Sequence, residues 1–179
     1  MSVTHRQVAL ALALAATGGL AAASTGLAST TPTTVVKAAH NSHQNKTIVV
    51  NARGVTLYRL TGDTPRHLKC THKLVGGLDC LSIWKPLTVR SSSTSKIKAG
   101  TGVTGKLGLF RRARNSYQVT LRGIPLYTFA GDSHRGDVNG EGIRSFGGTW
   151  HTVPASTRAS TPMPMSTPTP MPSPYPAPY

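Results

Sequence analysis

Residues 48–63 read IVVNARGVTLYRLTGD, and residues 117–132 read YQVTLRGIPLYTFAGD. At a constant offset of 69, Val50/Val119, Arg53/Arg122, Gly54/Gly123, Leu57/Leu126, Tyr58/Tyr127, Gly62/Gly131 and Asp63/Asp132 are identical. Each copy is a short apolar run, an Arg-Gly dipeptide, a second run and a closing Gly-Asp. Gly supplies the positive φ of a tight turn, so the pattern reads as two strands joined by a hairpin. In the second copy Ile124 and Leu126 face one way, and Tyr127 and Phe129 the other. A strand apolar on both faces is usually covered on both. Trp84 (IWKPL) and Trp150 (TWHTV) then close the two halves at an offset of 66, so the connecting loops differ by three residues. The chain reads as a duplicated β unit of roughly 35–40 residues. Two such units would share one core, because a lone hairpin is only marginally stable.

The rest of the chain agrees with that reading. Of 179 residues, 38% are hydrophobic, with 18 Gly and 13 Pro, which excludes a helix bundle, a coiled coil and a multi-span membrane protein. Residues 106–110 and 117–121 are further strand candidates around a polar RRARNS turn. Cys80 to Trp84 fits one helical turn, stopped by Pro86. The expected fold class is all-β and mainly antiparallel. It is a single small domain of two similar β units over residues 46–155, with disordered termini.

Residues 1–28 read as a secretory signal. Arg6 gives the charged start, Val8 to Ala23 the apolar run, and Ala21-Ala22-Ala23 the small residues before cleavage. A membrane anchor needs about 20 apolar residues; this run is shorter, so no transmembrane span is expected after signal removal. No Cys follows the run to accept a lipid. Residues 29–45, rich in Ser, Thr, Ala and His without apolar period, read as a linker. Residues 156–179 carry Pro at nearly every second or third position, which favours extended polyproline II and a disordered or semi-rigid spacer. A Pro-recognising partner using Tyr175 and Tyr179 is the alternative for this tail.

Cys70 and Cys80 are the only cysteines. Outside the cytoplasm an even pair favours a disulfide, and so short a loop would constrain the unfolded chain by roughly 2–3 kcal/mol. The alternative is a metal site from His67, Cys70, His72 and Cys80, although their spacing matches no standard zinc pattern.

The paired GxxLYxxxxD segments, the Cys–Cys–Trp-x-Pro run and the later QVT-L-x-G-x-PLY stretch carry a resemblance. Over residues 46–154 the chain resembles the secreted-repeat family of bacterial exported proteins, described as predicted lipoproteins with a Tyr-x-aromatic-x-x-Asp motif. Tyr127-Thr-Phe129-Ala-Gly-Asp132 fits the motif fully. Tyr58-Arg-Leu60-Thr-Gly-Asp63 has Leu in place of the aromatic ring, and Cys80-x-x-x-Trp84-Lys85-Pro86 has Lys in place of Pro. The lipid-attachment Cys is missing, so lipoprotein status does not carry over. The family has no established activity, so the resemblance implies a domain and assigns no chemistry.

The repeat motif Tyr58, Asp63, Tyr127, Phe129 and Asp132 is open to two readings. Tyr packs in the core beside Trp84 and Trp150 while Asp caps the turn after Gly, or two Tyr/Asp pairs line a groove for a small ligand. Catalysis by Asp63 and Asp132 would need facing carboxylates, and no nucleophile motif is visible, so no catalytic residue, cofactor or metal is assigned. Asp132, Asp137, Asn139 and Glu141 imitate a calcium loop, but Gly148 occupies the position of the closing Glu and no helices flank it; a surface turn is the expectation. Arg135-Gly136-Asp137 is too short to weigh.

Charge points to a partner. Twenty Lys+Arg against five Asp+Glu give a formal net charge of +15. The densest cluster, Arg111, Arg112, Arg114 and Arg122, is a candidate polyanion-binding surface. No nucleic-acid module or interleaved aromatics appear, so anionic cell-envelope polymers or lipid head groups are the expected counterpart. The expected function is an exported, non-enzymatic, envelope-associated or binding module, secreted or held outside the cytoplasmic membrane. The alternative is a small-ligand or metal-ion binding protein using the Tyr/Asp pairs or the His/Cys cluster. Oligomeric state is not legible.

Overall fold

A computed structural model of the chain describes residues 31–156. The expected signal and all but the first residue of the Pro-rich tail lie outside them. The elements are β1 (Thr33–Asn41), β2 (Lys46–Asn51), β3 (Tyr58–Leu60), the helical turn α1 (Cys80–Ile83), β4 (Trp84–Pro86), β5 (Thr88–Val89) and a 3-10 turn at Thr94–Lys96. There follow β6 (Ile97–Ala99), β7 (Leu107–Ala113), β8 (Ser116–Leu121), β9 (Ile124–Pro125), β10 (Tyr127–Phe129), β11 (Arg144–Ser145) and β12 (Gly148–Thr152). The protein is all-β and largely antiparallel, and α1 falls where the sequence put one helical turn.

The linker expected over residues 29–45 is corrected. From Thr33 to Asn41 it is a nine-residue strand, paired antiparallel with β2 from Val36↔Asn51 to Asn41↔Lys46. Its composition hid it, because TTVVKAAHN has no clean alternation. Its β-branched Val35 and Val36 are nonetheless buried, and its backbone is held by the apolar Ile48–Val50 run opposite. Asn45, at φ 48°, turns the chain between the two strands. Each unit therefore begins one strand earlier than expected, and β1–β2 corresponds to β7–β8. The RRARNS turn is correspondingly shorter: β7 runs through Arg111 and Arg112, and only Arg114-Asn115 reverse the chain, Asn115 at φ 55°.

The ungapped alignment also needs one correction. In the second unit Arg122 and Gly123, at φ 55° and 78°, form a two-residue turn between Leu121 and Ile124. In the first, Ala52, Arg53 and Gly54 (φ 90°) lie between Asn51 and Val55, which are joined by a backbone hydrogen bond of 2.8 Å. The Asn51 side chain accepts the N–H groups of Arg53 and Val55 and steadies the extra residue. Consequently Leu57 N–H donates to Val49 C=O and Leu126 N–H to Val119 C=O. The structural partner of Val119 is Val49, not Val50.

The central sheet has the order β11-β12-β3-β10-β4. Tyr58 on β3 lies directly opposite Tyr127 on β10. Each Trp strand pairs with the Tyr strand of the other unit: Trp84↔Phe129, Lys85↔Thr128 and Pro86↔Tyr127 on one side, Trp150↔Leu60, His151↔Arg59 and Thr152↔Tyr58 on the other. The units are crossed about a pseudo-two-fold axis between the two tyrosines.

The single core expected from sequence divides into two clusters. One is aliphatic, built on Val36, Val49, Leu57, Val119, Leu121, Leu126 and Val153. The other is aromatic, built on Tyr58, Trp84, Tyr127, Trp150, Phe146 and the two cysteines. Leu126 enters the first while Tyr127 and Phe129 enter the second, so this segment is covered on both faces as expected.

Candidate functional site

At the crossing point Trp84 and Trp150 stack at a centroid distance of 3.8 Å and an interplanar angle of 4°. Tyr58 meets Trp84 edge-on at 5.4 Å, and Tyr127 meets Trp150 edge-on at 5.2 Å. Phe129 lies over Trp84 at 4.4 Å. Edge contacts of this kind suit the ring quadrupoles and add to the gain from burial.

The repeat-motif tyrosines and aspartates are bonded across the units rather than within them. The Tyr127 hydroxyl donates to Asp63 Oδ2 at 2.6 Å, and the Tyr58 hydroxyl to Asp132 Oδ2 at 2.8 Å. Asp63 is buried, and its Oδ1 accepts the Lys69 N–H at 2.7 Å. Asp132 is half-buried, and its Oδ1 accepts the Asn139 N–H. Burial, aided by the carboxylate acceptor, raises both phenols well above the ordinary tyrosine range. Burial likewise raises the Asp132 carboxyl, against the opposing pull of the Tyr58 hydroxyl and the Asn139 amide.

The remaining acids are held in the same way. Asp137 Oδ2 accepts the Ser133 and His134 N–H groups, which lower its pKa. Burial tends to raise Glu141, but the Thr152 N–H, His151 and the Thr152 hydroxyl outweigh it and leave the pKa lowered. Asp79 caps α1 through the Leu81 N–H and meets His72 at 3.2 Å. The segment resembling a calcium loop is thus a surface turn whose carboxylates bind backbone amides. Among the described residues no three His, Cys, Asp or Glu side chains gather as a metal site.

Cys70 and Cys80 form a disulfide with Cα atoms 5.4 Å apart. With both sulfurs joined, neither is a thiolate ligand, and the His67/Cys70/His72/Cys80 metal alternative loses its strongest donors.

The arginine cluster is not one surface. Arg112 donates to the Gln118 side chain and the Cys70 carbonyl. Arg122 donates to the Thr104 and Pro154 carbonyls, both at 2.8 Å, and its pKa is lowered by burial and by Arg59. Both are half-buried ties between segments. Arg111 and Arg114 are exposed, and Arg114 joins Arg90 in lining a shallow polar concavity beside Asn115 and Ser116.

The sequence reading missed a second concavity. Val75, Leu78, Ile83, Trp84, Phe129, Ile143 and Phe146 line an apolar groove of about 340 Å³ between the disulfide loop and β11. Above it stand Leu74, Val75 and Leu78, exposed by 62%, 51% and 56%. The apolar residues flanking Gly76-Gly77 were the available signal, since a Gly-Gly pair between apolar residues marks a hairpin tip.

Residues 108–154 match the model of a family described as a secreted repeat of unknown function. The match covers the second unit, from β7 through β12. The first unit, with its longer turn and its Leu60 and Lys85 departures, lies outside it. No curated protein and no solved structure matches the chain. No helix among the described residues is long and apolar enough to cross a membrane.

Proposed function

We propose that this protein is an exported, non-enzymatic module of the cell envelope that binds anionic polymers or head groups through its cationic surface. One observation carries the reading. Every acid in the chain is engaged internally, by Tyr, His, Thr, Gln or backbone N–H groups. The only ion pairs among the described residues are His–carboxylate pairs, so none of their Lys or Arg is neutralised by an acid. Such unpaired cations leave a positive field that attracts polyanions by releasing their counterions. The non-enzymatic reading is supported by the Tyr/Asp pairs, whose hydroxyls and carboxylates are consumed by each other in the core. The description of the matched family as secreted agrees with export.

The test is retention on immobilised poly(glycerol phosphate) as a function of salt. Binding should weaken steeply and log-linearly with salt concentration. Absence of binding at low salt, or binding that persists in molar salt, overturns the electrostatic reading.

A further inference from the structure

The disulfide closes a loop whose hairpin tip, unlike that of the second unit, turns its apolar side chains outward. Val75 and Leu78 exchange backbone hydrogen bonds at 3.0 and 3.1 Å across Gly76 and Gly77, whose φ values are 59° and 80°. A Cβ built on either glycine would meet nothing within 4 Å, so the tip projects into open space. Leu74, Val75 and Leu78 are the exposed large hydrophobics of the described residues. They are gathered on one five-residue stretch and continue into the apolar groove floored by Trp84 and Phe129. Scattered exposed apolar residues are ordinary, whereas a contiguous patch marks a docking surface.

The surroundings of the tip are cationic. Arg66 and Lys73 are exposed on the same loop, Lys73 next to Leu74, and give it a positive rim in a protein of formal net charge +15. The one acid of the loop, Asp79, is occupied by α1 and His72. A second copy of the chain would bring the same positive rim against this one, which disfavours self-association. A soluble anionic polymer satisfies the rim but leaves the apolar tip in water. A bilayer with anionic headgroups satisfies both, with phosphates at the rim and the acyl boundary at the tip.

We infer that residues 74–78 dock on a bilayer containing anionic lipid, with Leu74, Val75 and Leu78 entering the headgroup–acyl boundary and Arg66 and Lys73 meeting the phosphates. The inference rests on the envelope-module reading and names one surface and one partner for it. The disulfide at the base holds the tip before contact, so little ordering accompanies insertion.

The experiment compares the full chain with its L74S/V75S/L78S variant, which carries the same N-terminus, so that any difference belongs to the tip. Co-sedimentation is measured with vesicles of equal parts phosphatidylglycerol and phosphatidylcholine, with phosphatidylcholine alone, and against poly(glycerol phosphate). Far-UV circular dichroism and the absence of free thiol verify the fold. The original chain should bind the anionic vesicles and bind phosphatidylcholine more weakly. The variant should lose at least ~10-fold in vesicle affinity, given the apolar area withdrawn, with polymer binding unchanged. A V75W reporter should be quenched by brominated lipid. Equal vesicle binding by chain and variant, or an unquenched reporter, overturns the inference. Polymer binding without vesicle binding overturns it while leaving the envelope-module reading intact; failure of both overturns both. Tip-dependent dimerisation in sedimentation velocity would assign the patch to a second copy and also overturns it.

Discussion

The loops that follow the two Gly-Asp dipeptides do the same job by different chemistry. Both connect a Tyr strand to a Trp strand, and both contain a two-residue hairpin tip with left-handed backbone. In the second loop that tip is Phe146-Gly147, at φ 52° and 77°, and Phe146 turns inward onto the aromatic cluster. In the first it is Gly76-Gly77, and the flanking Val75 and Leu78 turn outward. The second loop is braced by carboxylates on backbone amides, with Asp132, Asp137 and Glu141 all accepting. The first, with Asp63 at one end and Asp79 at the other, is braced by a disulfide. A loop closed by a covalent bond does not need to fold its own side chains inward, and the first loop is free to present them to solvent.

The two Tyr–Asp bonds sharpen this contrast most. Asp63 is buried and accepts from two donors inside the core. Asp63→Ala strands the Tyr127 hydroxyl and the Lys69 N–H, and the loss should reach about 3–4 kcal/mol. Asp132 is half-exposed, water can replace it, and Asp132→Ala should cost about 1 kcal/mol. Urea titrations of the two variants check the order; equal losses would mean that the units share burial as well as topology.

Breaking the brace of the first loop comes next. The C70A/C80A variant should lose about 2–3 kcal/mol, most of it through the freed unfolded chain. Thermal unfolding followed at the tryptophans should shift downward, with the aromatic near-UV signal of the folded state retained. A variant that loses that signal at room temperature would show that the disulfide also holds the Trp84 side of the stack.

The smallest effect is one of pH. Because Tyr58 and Tyr127 have folded-state pKa values raised above their unfolded value, their contribution to stability is fully present below about pH 10 and is lost as pH rises beyond it. A spectroscopic alkaline titration of the folded protein should leave these two phenols un-ionised until the fold opens. Tyr127→Phe and Tyr58→Phe should each flatten the alkaline loss of stability. Ionisation of all the tyrosines in the ordinary range with the fold intact would break the crossed-pair picture.

Much of the fold was legible because its signals are local. Gly54 and Gly123 marked their turns, the alternation of Leu126 with Tyr127 marked a strand covered on both sides, and an even pair of cysteines in a chain read as exported marked the Cys70–Cys80 bond. What stayed hidden depends on partners distant in sequence. β1 is a strand because β2 lies beside it, not because TTVVKAAHN alternates. The extra residue at Ala52–Gly54 is invisible to an ungapped repeat, since the Arg-Gly dipeptides still align. The motif residues were found, but not that each Tyr reaches the Asp of the other unit, because periodicity within one copy carries no record of which copy it faces. Arg112 and Arg122 looked like free cations by composition alone; only the three-dimensional neighbourhood shows them spent on carbonyl oxygens.

The exchange of Trp strands between the two units has a further consequence for how such a chain could arise and be divided. A single unit cut free would hold its Tyr ribbon and its Trp ribbon without a mate for either, and the shortest way to satisfy both is to meet an identical fragment in the same crossed embrace. In the intact chain the tether supplies that mate, and it leaves the halves free to differ, one with a stapled, outward-facing finger and the other without.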